Sequence, residues 1–595
     1  MSYQAPLKEM AFVMNQLAGL SEICKYPGFQ ASELDAQMTQ AILEESAKFS
    51  QEVLDPLNWS ADCAPGSLQG DEVFTAKGFK EAYQLLVAGG WQGVVHPQEY
   101  GGQGLPKLLA TACTEMMNSA NLSFALCPLL TDGAIEALLT AASDEIKHSY
   151  LPNMISGKWT GTMNLTEPQA GSDLSLVRTK AIAEPDGRYK IFGTKIYITY
   201  GEHDLAENII HLVLARTPDA PEGVKGISLF VVPKFLVNPD ASLGERNDVH
   251  CVSIEHKLGI KASPTAVLQF GDHGGATGYL VGQENRGLEY MFIMMNAARF
   301  NVGMQGVAIA ERAYQRAVQY AKERLQSRDL SGSNGPVAII HHPDVKRMLL
   351  TMRAYTQATR SLAYVGAAAQ DASHQAVDPQ EKILAQTFFE FLVPIIKGFS
   401  TEVSVEVASL GIQVHGGMGY IEETGAAQHF RDARILPIYE GTTAIQANDL
   451  VGRKTLRDGG AVAKRIAKQI ETTETQLATH ASDAALMMLS HLKPARLAFE
   501  EVVEYVLQNA KQDIKAVFGG SVTYLKLAGL TLSGWQMART LLIAEELANE
   551  DPEFYAAKVT TAIFFAQQLL TQVPGLAVAV TQGGKSLNAM TADQF

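Results

Sequence analysis

The feature that most constrains this chain is its hydrophobic period, which changes twice. Up to about residue 158 apolar residues recur at helical spacing, as at Met10, Val13, Met14 and Leu17, so that each set lines one helix face. From Trp159 to about Val281 that spacing is lost. Ile196, Ile198 and Tyr200 alternate with Tyr197 and Thr199, and Asp186-Gly187 sits between TKAIAE and RYKIFG. The apolar runs Ile209–Leu214 and Ile227–Val232 flank a Pro- and Gly-rich connector. Alternation is the strand period, and Asp-Gly between two such runs signals a tight hairpin. After Gly287 helical spacing returns, with Val307, Ala310, Tyr314, Ala317, Val318, Ala321 and Leu325 on one face, and it persists. Short strands without intervening helices predict an antiparallel β-barrel domain. The expected class is α+β, mainly α: an N-terminal helical domain with a leading extension (1–158), a β-barrel domain (159–282), a helical bundle (283–455) and an additional C-terminal helical domain (456–595). A chain of 595 residues exceeds what one core usually organises.

Composition narrows the function classes. With 47% hydrophobic and 19% charged residues the chain is globular, and a net charge of −15 weighs against a nucleic-acid partner. Five dispersed cysteines without a C-x-x-C pair read as reduced intracellular thiols. No uninterrupted apolar run approaches the roughly 20 residues of a membrane span, and MSYQAPLKEMAFVMNQL resembles neither a signal nor a transit peptide. The expectation is a cytoplasmic protein without an integral membrane segment. There is no G-x-G-x-x-G loop, and Gly583-Gly584-Lys585-Ser586 has Ala579 where a phosphate loop needs its first glycine; that segment is expected to be a flexible tail. His341 and His342 are adjacent, pointing about 100° apart on a helix, so no metal site is expected.

One carboxylate stands out. In FRDARILPIYEGTTAIQANDL, residues 430–450, Glu440 follows an apolar run and precedes Gly441-Thr442 and a helical pattern. Burial among Ile435, Leu436, Ile438 and Tyr439 would raise its pKa and make it a stronger base. The plainer reading is a helix N-terminal glutamate stabilised by the macrodipole.

Dispersed segments resemble one family. Residues 163–173, Met163-Asn164-Leu165-Thr166-Glu167-Pro168-Gln169-Ala170-Gly171-Ser172-Asp173, resemble the TEP-x-AGSD signature of acyl-CoA dehydrogenases. Lys195-Ile196-Tyr197-Ile198-Thr199 resembles their second flavin segment, Gln413-Val414-His415-Gly416-Gly417-Met418-Gly419 their Q-x-x-GG-x-G, and Arg431-Asp432-Ala433 and Ile438-Tyr439-Glu440-Gly441-Thr442 their RDA and IYEGT motifs. The matches keep the family's order over about residues 40–455. Glu323-Arg324 resembles the site of an arginine that reaches a neighbouring subunit's cofactor, with Arg328 as the competing position.

The resemblance implies FAD-dependent α,β-dehydrogenation of an acyl-CoA thioester to a trans-2-enoyl-CoA, as in fatty-acid β-oxidation, with Glu440 taking the α-proton and the flavin the β-hydride. It implies cofactor contacts from Met163, Leu165, Thr166, Ser172, Tyr197, Ile198, Thr199, Arg324, Gln413, Gly416, Gly417 and Thr442. Tyr197 would offer an aromatic wall, and Thr166 and Thr199 hydroxyls for the ring. Substrate contacts would come from Ser172, Asn296, Arg299 and Gly441, and the Glu440 N–H would polarise the thioester carbonyl. Electron-transfer flavoprotein is the implied acceptor and a homodimer the implied assembly. Some relatives carry the base beside the residue resembling Arg299; that position here is Ala298, which leaves Glu440. Ala444 and Pro343 depart from glutamines found near the cofactor in relatives. The segments before about 40 and after about 455 resemble the large bacterial members, which include medium- to long-chain and methylthiopropionyl-CoA dehydrogenases. The competing readings are an acyl-CoA oxidase of the same fold and a flavin-free binding or assembly protein.

Overall fold

The computed structural model describes the chain except residues 1, 31 and 33 and the side chain of residue 585. Short helices and a small hairpin (Ser67–Gln69 with Glu72–Phe74) precede helices α1 (Lys107–Ala120) and α2 (Leu122–Ala141). Asn121 caps α2, its Oδ1 accepting from the Phe124 N–H at 3.1 Å. Helix α2 is apolar nearly all round and is buried accordingly, between helix α3 (Gly287–Glu323) and strand β1 (Trp159–Asn164).

Beside a small antiparallel pair, Phe235–Val237 with Leu243–Arg246, the other strands are β2 (Lys180–Ala183), β3 (Tyr189–Thr199), β4 (Asn208–Ala215), β5 (Ser228–Pro233), β6 (Val249–Ile254), β7 (Thr265–Phe270) and β8 (Ala276–Val281). With β1 these last seven make the main sheet, in the order β6-β7-β3-β8-β5-β4-β1, with β2 also on β3. This corrects the barrel expectation: the sheet is open, and its last pair, β1 with β4, is parallel. The reason lies at the β1 edge, where the Gly161 N–H donates to Thr131 Oγ1 of α2 at 3.0 Å. An edge covered by a helix needs no closure. The Asp-Gly hairpin forms as expected, pairing Ala183 with Tyr189 around Gly187 at φ +85°.

A second correction falls on β3. The alternation through Ile196–Tyr200 is interrupted by a bulge, since Lys195 opposes Leu268 and Ile198 opposes Ala266, two residues against one. Tyr197 takes φ +59° and Tyr200 φ +50°. The extra residue turns Tyr197 outward, leaving its side chain 61% exposed.

Helix α4 (Pro343–Gln375) and helix α5 (Pro379–His415) complete the central bundle with α3. At Gly303 and Gly306 of α3 a Cβ would stand within 3 Å of backbone atoms of Ile396 and Ser400, so α3 and α5 meet almost backbone to backbone. Helices α6 (Ala426–Ala433) and α7 (Thr443–Val451) follow. Among the C-terminal helices, α8 (Ser521–Glu546) lies on α5, and α9 (Pro552–Gln568) and α10 (Val573–Ala589) close the chain. Residues 583–586, expected as a tail, lie inside α10. A Cβ on Gly584 would come 2.5 Å from that of Ala516, so this glycine serves a close helix contact. Three helical segments, Leu122–Ala141, Pro379–Tyr420 and Pro552–Ala589, are long and apolar enough to cross a bilayer by length and composition, and their apolar windows are 78%, 61% and 39% buried within the protein.

Candidate active site

Glu440 sits in the turn between α6 and α7. Leu436, Ile438 and Thr443 tie the turn to itself, their N–H groups donating to Ala433, Ile435 and Pro437 carbonyls at 3.1, 2.8 and 3.0 Å. Glu440 at φ +54° and Gly441 at φ +89° are consecutive left-handed residues. For a glutamate that conformation costs about 1–2 kcal/mol, so something must hold it. Lys397, fully buried on α5, donates from Nζ to the carbonyls of Leu436 at 2.8 Å and Gly441 at 2.7 Å. Gln446 Nε2 donates to the carbonyls of Glu440 at 3.3 Å and Gly441 at 3.2 Å. Thr442 caps α7 by accepting from the Ile445 N–H at 3.3 Å, and Thr443 Oγ1 donates to Glu402 at 2.5 Å.

The electrostatics place the titration of the Glu440 carboxyl near neutral pH. Loss of hydration pushes its carboxyl up to about 7, against the pull of the Arg299 and Lys397 charges. Arg299 is buried on α3, its Nη2 3.7 Å from where a Gly441 Cβ would stand, and its Nε has no protein partner. Burial lowers the Arg299 pKa, while Asp449 and Glu440 favour its charge. Ala298 is buried beside it and carries no acid. Asn296 is exposed.

The neighbouring Tyr439 opens a polar path into the bundle. Its hydroxyl donates to Gln305 Oε1, and Gln305 Nε2 donates to Asn118 Oδ1 at 3.1 Å. Asn118, Asn301, Cys113 and Gln92 line a cavity of about 60 Å³ among α1, α2 and α3.

The strand segments named from sequence form a second cluster. Glu167 is buried; it accepts from Lys195 Nζ at 2.8 Å, Thr179 Oγ1 at 2.6 Å and the N–H groups of Arg178 and Thr179 at 2.8 and 3.0 Å. Those donors hold its carboxyl down to about 2 despite burial. Lys195 Nζ also donates to the Leu165 carbonyl at 2.9 Å, and the Ile196 N–H to the Thr166 carbonyl at 2.9 Å. The 163–167 segment is thus fastened to the β3 bulge, bringing Leu165 and Thr166 beside Tyr197, Ile198 and Thr199. Met163, Thr166 and Thr199 are half-buried, Leu165 and Ile198 buried, and Ser172 exposed.

The link between the two clusters runs through Arg431 and Asp432. Asp432 Oδ1 accepts from the Ile260 N–H at 2.5 Å, in the loop that leads to Thr265, the partner of Thr199 across the sheet. Arg431 grips Asp62 of the N-terminal helices at 2.6 and 3.1 Å and donates to the Leu258 carbonyl at 3.2 Å. One dipeptide before Glu440 therefore joins three regions of the chain.

Arg324, Gln413, Gly416 and Gly417 gather elsewhere. Tyr320, one turn before Arg324, stacks on His415 with ring centroids 4.3 Å apart. Arg324 and Gln413 are exposed, and a Cβ on either glycine would meet nothing within 4 Å. Gln413 lies sixteen residues beyond Lys397 on α5, roughly 24 Å along its axis, so this group stands at the opposite end of the bundle from Glu440. Lys397, Gln446 and the Gln305–Asn118 path were not identified from sequence. Lys397 did leave a signal: it is a lone charge in the apolar run Phe391–Phe399.

Comparisons with known proteins fall on the same regions. The acyl-CoA dehydrogenase N-terminal, middle and C-terminal domain models match residues 37–158, 162–273 and 285–454, and a model described as acetyl-CoA dehydrogenase C-terminal like matches 462–591. A 3-methylmercaptopropionyl-CoA dehydrogenase of Ruegeria pomeroyi is 53% identical over 99% of both chains. A butyryl-CoA dehydrogenase of Syntrophomonas wolfei is 36% identical over 93% of both. The solved structure of Caenorhabditis elegans ACDH-11 in complex with C11-CoA superposes with a TM-score of 0.74 at 19% identity, covering 96% of this chain and 92% of that one, which speaks to the fold. With three consecutive domain models and a full-length relative at this identity, the chain belongs to the acyl-CoA dehydrogenase family and is an oxidoreductase.

Proposed function

We propose that the chain dehydrogenates a short acyl-CoA thioester of the 3-(methylthio)propanoyl type across its α,β carbons, with Glu440 as the base. The observation that carries this is the held, left-handed Glu440 with a carboxyl poised near neutrality. The identity to the Ruegeria enzyme supports the substrate.

The residues present fit FAD. Among the described residues the Thr166 and Thr199 hydroxyls make no side-chain hydrogen bond, Asn164 Oδ1 is buried without a partner, and Gly416 and Gly417 leave space for a phosphate to approach. Thr166, Thr199 and the bulged backbone would hold the ring, and Arg324, Gln413 and the two glycines the pyrophosphate. When bound, FAD supplies the acceptor for the β-hydride. The chain's own part is to take the α-proton on a Glu440 carboxylate oxygen and to present the Glu440 N–H, oriented by the neighbouring Gly441 and Leu436 carbonyl bonds, to the thioester oxygen.

The far-end location of Arg324 supports a homodimer in which these residues serve a second copy's cofactor. The five unpaired cysteines support a reducing, cytoplasmic setting, and the 78% burial of the Leu122–Ala141 window supports a packing role for that helix. An electron-transfer flavoprotein is the proposed acceptor.

The test is spectroscopic. Purified protein should be yellow and bleach when 3-(methylthio)propanoyl-CoA is added without oxygen, and a panel of thioesters should rank that compound above long-chain acyl-CoAs. Reoxidation in air within the turnover time would assign an oxidase, and colourless protein a binding role. A stable tetramer by mass measurement would remove the dimer.

A further inference from the structure

We propose that Asp248, His250 and His273 form a divalent-cation site of the zinc type at the edge of the strand domain, apart from the dehydrogenation chemistry. Asp248 precedes β6, His250 lies on it, and His273 is in the β7–β8 turn. Asp248 Oδ1 stands 3.4 Å from His250 Nε2 and 3.3 Å from His273 Nδ1, and the three ligand atoms lie within 4.8 Å of one another. Bonds of ~2.0–2.1 Å to a tetrahedral zinc put neighbouring ligand atoms ~3.3–3.4 Å apart, so both measured edges match a tetrahedron.

The surroundings orient these atoms as metal sites do. The other ring nitrogen of His250 bonds Asp71 Oδ2 at 2.8 Å, a carboxylate–histidine pairing that fixes the ring and leaves Nε2 toward the site. Arg246 Nη2 lies 3.7 Å from that Asp71 oxygen and offsets its charge. The second Asp248 oxygen is occupied by the N–H groups of His273 at 2.7 Å and Gly275 at 3.1 Å, which aims Oδ1 at both imidazoles. His273 is 77% exposed, so a fourth position is open to water. Two imidazoles and one carboxylate suit Zn²⁺ and, by the same donors, Ni²⁺ or Cu²⁺. A bound ion would clamp the 67–74 hairpin, through Asp71, to the edge strand and the β7–β8 turn.

Calorimetric titration of chelator-treated, flavin-loaded protein with ZnCl₂ tests this. One equivalent should bind, His273→Ala should weaken it at least tenfold, and Asp71→Asn should weaken it about 10–100-fold. His273 is exposed, so its variant should fold normally, as circular dichroism would verify. Saturating Zn²⁺ should raise the Tm of the unaltered protein and not that of His273→Ala. Absence of a stoichiometric site, or equal affinity in His273→Ala, would overturn the proposal.

Discussion

Lys397 Nζ donates to the Gly441 carbonyl at 2.7 Å, so a buried amine on one helix holds the peptide that follows the candidate base on another segment. Burial pushes this amine down to about 7, opposed first by the Glu440 charge. Glu440 is pushed the other way by the same loss of water. Each charge therefore stabilises the other, and the turn and the titration of its carboxylate are controlled together.

Lys397→Met should separate these roles. It leaves two buried carbonyls without their donor, which costs roughly 1–3 kcal/mol for each group, and it removes a cation that favours ionised Glu440. Tm should fall, and the acid limb of kcat/KM should move to higher pH. An unchanged limb with a lowered Tm would limit Lys397 to a structural role.

As the proposed base, Glu440 would act only after losing its proton, so kcat/KM should rise with pH through about 7 and level off above it. Glu440→Gln should cost at least 10²–10⁴-fold while the protein stays yellow. The stability trend has the opposite sign. The folded carboxyl titrates above its ordinary value of 4.5, so the unfolded chain gives up its proton first. Its contribution to stability is greatest below 4.5 and declines between there and about 7. Denaturant titrations across that window should show the slope, and Glu440→Gln should remove it.

What the sequence carried, and what it did not, follows from the range of each interaction. The helix and strand regions were legible because periodicity is local, and the candidate base Glu440 stood out because its flanking motif is contiguous. The open sheet was not, since its edge is satisfied by Thr131, on a helix that precedes the strands. The β3 bulge was hidden because Ile196–Tyr200 keeps its apolar alternation straight through it. Lys397 meets carbonyls 39 and 44 residues away, and no local pattern announces that.

The Lys195–Glu167 pair should be the strongest determinant of cofactor retention in the strand domain. Lys195→Met leaves a buried carboxylate facing the remaining donors, and breaking such a pair costs about 3–5 kcal/mol. It also frees the Leu165 carbonyl and loosens the 163–167 segment from the bulge. The variant should lose flavin during purification, measured as the ratio of visible flavin absorbance to ultraviolet protein absorbance, before it loses helical circular dichroism. Simultaneous loss of both would mean that the pair supports the whole fold and not the platform alone.

Removing the region after residue 455 should expose the bundle. Leu525 of α8 approaches Gly398 so closely that a Cβ there would stand 2.4 Å from it, and a Cβ on Gly529 would stand 2.3 Å from the Phe399 ring. Both contacts fall on α5, one and two residues from Lys397. At the other end of the module, buried Lys558 pairs with Glu9 of the first helix, an ion pair whose rupture costs roughly 3–5 kcal/mol. A chain ending at 455 therefore uncovers apolar surface beside the helix that holds the Glu440 turn and takes Lys558 away from Glu9. Light scattering should find it aggregated or in a higher oligomer with its flavin lost. A soluble dimer of unchanged Tm would instead show that α5 holds Lys397 in place without α8, and that the extra helices serve a purpose other than covering the bundle.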